Sequence, residues 1–401
     1  MVRRTELFLR VSNRPKRSMK IAILKERRPH ETRVAATPET VTKLKTLGVE
    51  EIVIEAGAGA AAAYTDQAYS DAGATIVPDA ASAVAAADVV FKIQRPMSAT
   101  EGVDEIGQLR AGQVLMSPLG ALTNKELVQA LAAKGVTSFA LELIPRITRA
   151  QSMDILSSQA NLAGYKAVLL AANNFGRILP QMMTPGGTLA PSRSFIMGVG
   201  VAGLQAIATA RRLGSIVTAT DVRSATKEQV QSLGAKFVAV EDEEFKAAET
   251  TAGYAKEMSA EYRAKQAALV AEHIKTQDIV ITTALIPGRK APVLVSEEMV
   301  KTMKPGSVIV DMAVEQGGNC PLSEYGKTVE KYGVKIIGPA NLPAELPTDT
   351  SSLFARNLLN FITPMVDKVT KALKIDPSDE VVKGTLVTQD GLIVHPSLSQ
   401  T

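Results

Sequence analysis

The chain has little of three residue types that carry much protein chemistry: one cysteine, three histidines and no tryptophan in 401 residues. Because Cys320 stands alone, no disulfide can form within the chain, which favours a reducing compartment. The histidines, at positions 30, 273 and 395, lie far apart in the sequence, so neither they nor the thiol indicates a metal site. Aromatic residues make up only 4% of the chain, and no basic stretch is rich in aromatic residues that could stack nucleic-acid bases.

Positive charge and long apolar runs are also scarce. The net charge is +4, but residues 1–20 hold seven Lys and Arg and one Glu, so the remaining 38 basic and 40 acidic residues sum to −2. The body of the chain therefore lacks the positive charge that a nucleic-acid footprint requires. No apolar run approaches the ~18 residues of a membrane-spanning helix. We interpret residues 1–18 as a disordered or non-native leader ahead of Met19, with a transit peptide as the alternative.

From Met19 the chain alternates short β-branched runs with helical patterns, which is typical of a parallel sheet. Six runs predict a first series of strands: KIAIL (20–24), EEIVIEA (50–56), ATIV (74–77), DVVFKI (88–93), QVLMS (113–117) and VTSFALEL (136–143). Six more predict a second series: SRSFIMG (192–198), SIVTATD (215–221), KFVAV (236–240), DIVITTA (278–284), SVIVDM (307–312) and VKIIG (334–338). The sequence therefore predicts an α/β protein of two Rossmann-like, doubly wound domains.

We place the first domain at residues 19–145 plus 349–401, and the second at 146–348. Long helical patterns at Ser152–Phe175 and Ser351–Leu373 are expected to connect them. A tail hairpin with an Asp-Gly turn at 390–391 is expected to return to the first domain. Residues 241–275 are twice as long as one crossover helix needs, and we expect a mobile loop there that carries Tyr254 and Met258.

The most informative motif is GVGVAG, which joins a predicted strand to an amphipathic helix. Gly198 permits a tight turn, Gly200 lets a pyrophosphate approach the helix N-terminus, and Gly203 permits close packing of helix on strand. Asp221 ends the next strand, where a carboxylate accepts hydrogen bonds from an adenosine ribose and repels a 2′-phosphate. NAD is therefore favoured over NADP, although the adjacent Arg223 keeps NADP as an alternative. A purely structural glycine turn is the other interpretation.

Two further patterns are weaker. Residues 56–66, AGAGAAAAYTD, match the same fingerprint, but the following helix is poorly amphipathic and we prefer a plain turn. Dehydrogenases of alcohols and amines need a general acid or base, usually His or Lys, and none of the three histidines lies in a convincing loop context. His30, the best of them, is interpreted as a surface residue.

Polar residues gather where the helical pattern of residues 145–172 begins. They are Arg146, Arg149, Gln151, Asp154 and Ser157. From the pattern alone, a favourable interaction with the helix dipole is an alternative interpretation of Asp154, and a solvated position just before a Ser152 cap is an alternative for Gln151.

Several longer motifs together resemble domain I, the NAD(H)-binding component of proton-translocating, Si–Re-specific NAD(P) transhydrogenase, which is related to alanine dehydrogenase. They are KERRPHETRVAATPETV, KIQRPM, PRITRAQSMDILSSQANLAGY, GVGVAGLQAIATARRLG, TDVRSATKEQV, AGYAKEM, TTALIPG, DMAVEQGGNCPL and ARNLLNFITP. The resemblance covers the chain from Met19 onward and implies two Rossmann-like domains with the nucleotide in the cleft between them.

The resemblance also implies roles for individual residues. The nicotinamide and its ribose would be held by Arg146, Ile147, Thr148, Gln151, Asp154 and Ser157. Val199 and Val201 would lie under the pyrophosphate with the three glycines, and Asp221, Val222 and Arg223 would contact the adenosine ribose. The mobile loop and its flank would contribute Gly253, Tyr254, Met258 and Gln266, and Leu285 would line the site. A surface aromatic is the other interpretation of Tyr254.

Alanine dehydrogenase itself is the main rival. Its catalytic Lys and His correspond here to Gln94 and Gly120, whereas its substrate-binding Arg corresponds to Arg33. Loss of the proton-handling groups is harmless when hydride passes directly between two nicotinamide rings. A non-catalytic NAD-sensing protein is the third interpretation, but it would have no use for the polar cluster at 146–157.

The resemblance therefore implies a homodimer that binds NADH and passes hydride to NADP+ on a separate NADP(H)-binding partner component. A second, transmembrane partner would move the protons. The chain would lie on the cytoplasmic, inner face of the plasma membrane, attached through these partner subunits.

Overall fold

β-Branched runs form the strands of two sheets. A computed structural model describes residues 19–246, 258–286 and 289–398. Its strands are β1 (Lys20–Ile23), β2 (Glu51–Glu55), β3 (Thr75–Val77), β4 (Val89–Phe91), β5 (Val114–Ser117), β6 (Thr137–Ala140), β7 (Met182–Thr184), β8 (Gly187–Leu189), β9 (Arg193–Met197), β10 (Ile216–Thr220), β11 (Lys236–Phe237), β12 (Ile279–Thr282), β13 (Val308–Asp311), β14 (Lys327–Lys331), β15 (Val334–Gly338), β16 (Leu386–Gln389) and β17 (Leu392–Ile393).

Helices alternate with these strands. They are α1 (Pro38–Leu47), α2 (Asp66–Asp71), α3 (Ala80–Ala86), α4 (Glu105–Gln108), α5 (Lys125–Ala133), α6 (Ile155–Asn174), α7 (Val201–Arg212), α8 (Thr226–Ser232), α9 (Glu243–Lys246), α10 (Ala260–Ile274), α11 (Glu297–Thr302), α12 (Pro347–Ile362) and α13 (Glu380–Thr385). Local sequence signals set their ends. Thr37 caps α1 through a capping box, and Gly48 ends it in the left-handed conformation, as expected for a cap residue without a Cβ.

The chain divides into two compact units. Unit 1 comprises the residues up to Ile155 together with those from Pro347 onward, and unit 2 is Leu156–Leu346. The two sequence-based boundaries, after residue 145 and before residue 349, lie ten and two residues from these.

Unit 1 contains an eight-stranded sheet in the order β17-β16-β6-β5-β4-β1-β2-β3. Its first six strands are parallel, and their order is that of a doubly wound sheet. The predicted hairpin is present, because β16 pairs antiparallel with both β6 and β17. Asp390 and Gly391 form its turn with positive φ. Alternate residues of β1 enter apolar clusters on opposite faces of the sheet, as expected for a sheet covered on both sides.

Unit 2 contains a seven-stranded sheet in the order β11-β10-β9-β12-β13-β15-β14. All of its pairs are parallel except the edge pair of β14 and β15. The order reverses between β9 and β12, and ligands of doubly wound sheets bind at the carboxyl ends of the strands at such a point. Ile196 and Phe195 of β9 belong to the cores on opposite faces. The predicted fold class is confirmed.

Two helix predictions are wrong at their ends. The helix expected at Ser152–Phe175 is a 3₁₀ helix at Thr148–Met153 followed by α6, and the extended backbone of Asp154 separates the two. Asn357 and Asn360 of α12 donate to the Ser152 carbonyl at 2.8 and 3.1 Å, so tertiary contacts hold the 3₁₀ turn. The helix expected to reach Leu373 ends at Ile362, because Pro364 cannot continue an α-helix.

Three strands have no counterpart in the prediction. They are β14 and the β7–β8 hairpin, whose residues are half-buried or exposed and therefore lack a buried pattern. No helix in the described ranges combines the length and apolar character needed to cross a membrane. The leader at 1–18 and the loop residues 247–257 lie outside these ranges.

Candidate functional site

Each of the three glycines in the loop between β9 and α7 has a different structural environment. Gly198 has φ of +99°, and a Cβ there would lie 2.6 Å from Thr283 Oγ1. A Cβ on Gly203 would lie 1.9 Å from the Gly198 carbonyl oxygen, so α7 can approach the end of β9 only without a side chain. A Cβ on Gly200 would meet no atom within 4 Å. Space is therefore open above the second glycine, where the fingerprint places a pyrophosphate.

The N-terminus of α7 is suited to an anion. Its N-cap residue is Gly200, which provides no side-chain cap, and first-turn amides have no partners within a helix. With the helix dipole, such amides favour a phosphate. A Cβ on Gly164 of α6 would lie 2.1 Å from the Ala202 carbonyl, so α6 and α7 also approach closely here. The residues present fit the pyrophosphate of a dinucleotide.

Asp221 follows β10 and links the glycine loop to Arg223. Its Oδ2 accepts from the Val199 amide at 2.7 Å. The Arg223 guanidinium donates to both carboxylate oxygens, from Nε at 2.9 Å and from Nη2 at 2.8 Å. Asp221 is therefore held close to the loop, where a carboxylate accepts the hydroxyls of an adenosine ribose. Its pairing with Arg223 engages the cation that would otherwise attract a 2′-phosphate.

Three exposed apolar residues follow the carboxyl ends of neighbouring strands in this sheet. Val201, Val222 and Leu285 are 39%, 44% and 48% exposed. They follow β9, β10 and β12, respectively. Scattered exposed apolar residues are ordinary, but these three stand at the ends of three adjacent parallel strands. They form an apolar rim suited to the flat faces of a nucleotide.

Two further predicted site residues, Gln266 of α10 and Met258 just before this helix, make contacts within unit 2. Gln266 donates to Thr220 Oγ1 at 3.0 Å and accepts from the Val240 amide at 2.9 Å. It therefore ties the end of β10 to the segment after β11. Met258 is buried in the core. Gly253 and Tyr254 lie outside the described residues, so their predicted roles stay predictions.

The predicted nicotinamide residues of unit 1 lie in and beside the 3₁₀ helix that follows β6. Arg146, Thr148 and Gln151 are exposed, Ile147 is its N-cap residue, and Asp154 ends it. Ser157 belongs to α6 in unit 2 and is half-buried. Arg149 instead pairs with Asp379 at 2.8 Å, the residue that caps α13. Arg149 therefore has a structural partner, and the roles predicted for the others at the ring stay predictions.

The second glycine-rich loop, at 57–66, has a different geometry. The Gly57 amide donates to the Asp66 carboxylate at 2.9 Å, so an internal anion occupies the donor that a phosphate would use. A Cβ on Gly59 would lie 2.6 Å from the Tyr69 ring. The helix that directly follows Gly59, at Ala60–Ala62, is a single 3₁₀ turn of three residues. These features explain the loop as the plain turn that the sequence indicated.

Unit 1 carries a buried ionic cluster at the carboxyl ends of β1 and β4. Lys92 Nζ lies 3.0 Å from both Glu26 and Glu105, and all three side chains are at most 3% exposed. Burial and the Glu105 charge raise the pKa of Glu26, although Lys92 opposes this. Nearby, hydrogen bonds from Arg28 and Arg95 hold the pKa of Glu101 well below its usual range.

The residues that the resemblance matches to the alanine dehydrogenase site are Gln94, Arg33 and Gly120, which lie in unit 1. Gln94 Nε2 and the Arg33 guanidinium both donate to the Glu31 carboxylate, at 2.8 and 2.7 Å. A carboxamide cannot exchange a proton near neutral pH. Gly120 has φ of +59°, and the buried Glu142 carboxylate accepts from the amides on either side of it. The loop is thus fixed without any imidazole.

The remaining histidine and cysteine side chains do not indicate a further catalytic or metal site. His30 is exposed, as expected from the sequence. Burial raises the pKa of the Cys320 thiol to about 11, so it is a poor nucleophile at neutral pH. Within the described ranges, no group of three or more His, Cys, Asp or Glu could hold a metal ion.

Sequence reasoning missed the residues that support the loop after β12. Thr283 Oγ1 donates to the Gly198 carbonyl at 2.9 Å. Asn319 holds the Ala284 backbone, and Asp311 accepts from five groups around it. Their motif, DMAVEQGGNCPL, was available only as a segment of the family resemblance, because these contacts join loops 35 residues apart.

The fold and the glycine loop define a dinucleotide-binding protein built of two Rossmann-like units. Two family models match it: "Alanine dehydrogenase/PNT, N-terminal domain" at residues 22–163 and "Alanine dehydrogenase/PNT, C-terminal domain" at residues 167–396. The chain belongs to this family and, within it, to the NAD(P) transhydrogenase alpha subunits.

Individual relatives support that placement. An NAD(P) transhydrogenase alpha subunit of Rhodospirillum rubrum is 61% identical over 381 residues, which are 95% of this chain and 99% of that protein. A solved transhydrogenase from Sinorhizobium meliloti is 51% identical with a TM-score of 0.84, over 94% of this chain and all of that one. L-Alanine dehydrogenase is also similar in structure, at 27% identity and a TM-score of 0.78, over 95% and 98% of the two chains.

Proposed function

We propose that the chain is the NAD(H)-binding component of a proton-translocating transhydrogenase. It binds NADH on unit 2, and hydride passes to NADP+ held on a partner component. The observation that carries the proposal is the open space above Gly200, at the uncapped start of α7 and beside Asp221. A dinucleotide with a free 2′-hydroxyl fits this combination of amides and carboxylate.

The chemistry requires positioning and no proton donor. Hydride moves between the C4 atoms of two nicotinamide rings, so no substrate oxygen or nitrogen gains or loses a proton. Holding both rings in a reactive geometry then supplies most of the acceleration that the protein provides. In this proposal Arg146, Gln151, Asp154, Ser157 and Tyr254 position the nicotinamide and its ribose, as the family resemblance implies.

The region around Gln94 argues against an amino-acid dehydrogenase. Alcohol and amine oxidation need a group that accepts a proton beside the hydride, and the Gln94 amide cannot serve. The guanidinium that would bind a substrate carboxylate already binds the Glu31 carboxylate with two bonds of 2.7 Å. Both features favour transfer between nucleotides.

Two partner interactions complete the proposal. NADP(H) is held on one separate component, and protons are moved by a transmembrane component, to which this chain attaches on the cytoplasmic face. We also propose a homodimer. The β7–β8 hairpin supports a self-association surface, since Met182, Met183 and Leu189 are 43%, 77% and 51% exposed. Met183→Asp should shift the sedimentation coefficient towards that of a monomer.

Reconstitution tests the function. The purified chain is mixed with the NADP(H)-binding component of a transhydrogenase, and reduction of NADP+ by NADH is followed with an absorbance-shifted nicotinamide analogue. We expect transfer that requires both proteins. Lack of transfer with a folded partner would contradict the proposal, as would NAD+ reduction by alanine with this chain alone.

A further inference from the structure

Asn319 is a buried amide with both of its polar groups committed to neighbouring backbone. Its side chain is fully buried. Oδ1 accepts from the Ala284 amide at 3.1 Å, and Nδ2 donates to the carbonyls of Ala284 at 2.9 Å and Pro292 at 2.7 Å. Both polar groups of one backbone residue are therefore matched by one side chain, which requires a donor and an acceptor on the same planar group.

Asn319 is itself held rigidly. The backbone N–H of Asn319 donates to Asp311 Oδ1 at 3.1 Å. Asp311, at the end of β13, also accepts from Thr282 Oγ1 at 3.1 Å, from the Cys320 amide at 3.0 Å and from Ser323 Oγ at 2.6 Å. A buried carboxylate with this many donors fixes its surroundings. Because the backbone of Asn319 is fixed in this way, the side-chain amide that binds the Ala284 backbone has little freedom to move.

The segment held by Asn319 is tied on its other side to the glycine loop. The Thr283 amide donates to Met197 at 2.9 Å, and its hydroxyl donates to Gly198 at the same distance. The residue after Ala284 is Leu285, which is 48% exposed at the carboxyl edge of the sheet. Asn319 and Thr283 thus set where Leu285 stands relative to the pyrophosphate position.

The strand order says which half of a dinucleotide meets Leu285. A dinucleotide crosses the edge where the order reverses, here between β9 and β12, with its adenosine on the side of the ribose-binding acid. Asp221 follows β10, on one side of β9. Leu285 follows β12, on the other side, and so faces the nicotinamide half.

We propose that Asn319 is a positioning residue that holds Leu285 as a wall for the nicotinamide half of NAD(H). This inference rests on the proposed function. Aspartate at 319 would keep the size but would face two carbonyl oxygens with a negative charge in place of two N–H donors. Leu285 would then shift, while the Asp221 side of the site would keep its contacts.

The test compares NADH with ADP-ribose, which lacks only the nicotinamide, by calorimetric titration of the full chain. For Asn319→Asp we expect NADH affinity to fall about tenfold or more, the factor for one lost contact, with ADP-ribose affinity unchanged. Asn174→Asp is the matched control, since Asn174 donates to Leu170 at 2.9 Å in α6, away from the loop after β12. It should change neither affinity.

Leu285→Ala provides a second variant, which removes an exposed side chain and keeps the core intact. It should reproduce the loss for NADH alone. Equal losses for both ligands in either folded variant, or no loss for NADH, would overturn the inference and leave the proposed function standing. Failure of the unsubstituted chain to bind either ligand would instead overturn the proposed function, and the inference with it.

Discussion

Substitution of Gly200 by alanine should weaken nucleotide binding without lowering the stability of the fold. Its φ of −81° and ψ of −166° are extended, which alanine adopts without strain, and the new methyl group would meet no atom within 4 Å. The free energy of unfolding should therefore be unchanged or rise by roughly 0.4–1 kcal/mol, because alanine restricts the unfolded chain. The methyl group would instead occupy the space above the α7 amides.

The expected loss of affinity follows from that position. If the methyl group displaces one hydrogen bond between an amide and a charged phosphate, binding should weaken by about 1.5–3 kcal/mol. This corresponds to a Kd for NADH that is roughly 10–150-fold higher.

Gly203→Ala is the matched comparison. Its Cβ would lie 1.9 Å from the Gly198 carbonyl, so α7 must retreat by about 1.5 Å to reach an ordinary contact of 3.4 Å. Overpacking of this kind costs about 1–3 kcal/mol or more of stability. Urea denaturation and NADH titration of both variants, with Gly57→Ala of the other glycine loop as a binding control, test the reasoning. Unchanged NADH affinity in Gly200→Ala would refute it.

Three other substitutions probe the remaining features. Gln151→Asn should slow hydride transfer far more than it raises the Kd for NADH, since it disturbs ring placement; equal effects would make Gln151 a binding residue only. Lys92→Met should cost about 3–5 kcal/mol in urea denaturation, because Glu26 and Glu105 would be left buried without a cation, and a loss below about 1 kcal/mol would contradict this. Glu101 has a lowered pKa, so its stabilisation is present above the unfolded pKa of about 4.3 and lost as pH falls through the folded value. The stability difference between the chain and Glu101→Gln should therefore shrink in acid, and a constant difference would count against the ion pairs.

Much of the fold could be predicted because buried strands leave a strong pattern. All twelve predicted runs form strands, since parallel strands covered on both faces need continuous β-branched residues. The β7–β8 hairpin and β14 could not be found this way, because exposed strands need no such residues. The break at Asp154 also depends on a distant partner, Asn357.

The candidate site divides in the same way. Gly198, Gly203 and Asp221 could be proposed as site residues from the sequence, because strand, turn, helix and acid follow one another within a single βαβ unit. The role of Asn319 could not be predicted from the sequence, because its side-chain amide bonds the backbone of a residue 35 positions away. Gln266 is assigned to the nucleotide by the family resemblance alone, and this stays a prediction; its bonds to Thr220 and Val240 join segments that are distant in the sequence and could not be predicted. Local chemistry was predictable, and contacts between distant loops were not.

Titration of the chain with NADH and with NADPH measures whether unit 2 holds an NAD(H) site. We expect saturable binding of one NADH per chain, and much weaker binding of NADPH because Asp221 repels its 2′-phosphate. Asp221→Asn should narrow that difference. Equal affinity for the two nucleotides, or binding of neither, would contradict the claim that this glycine loop and Asp221 form an NAD(H) site.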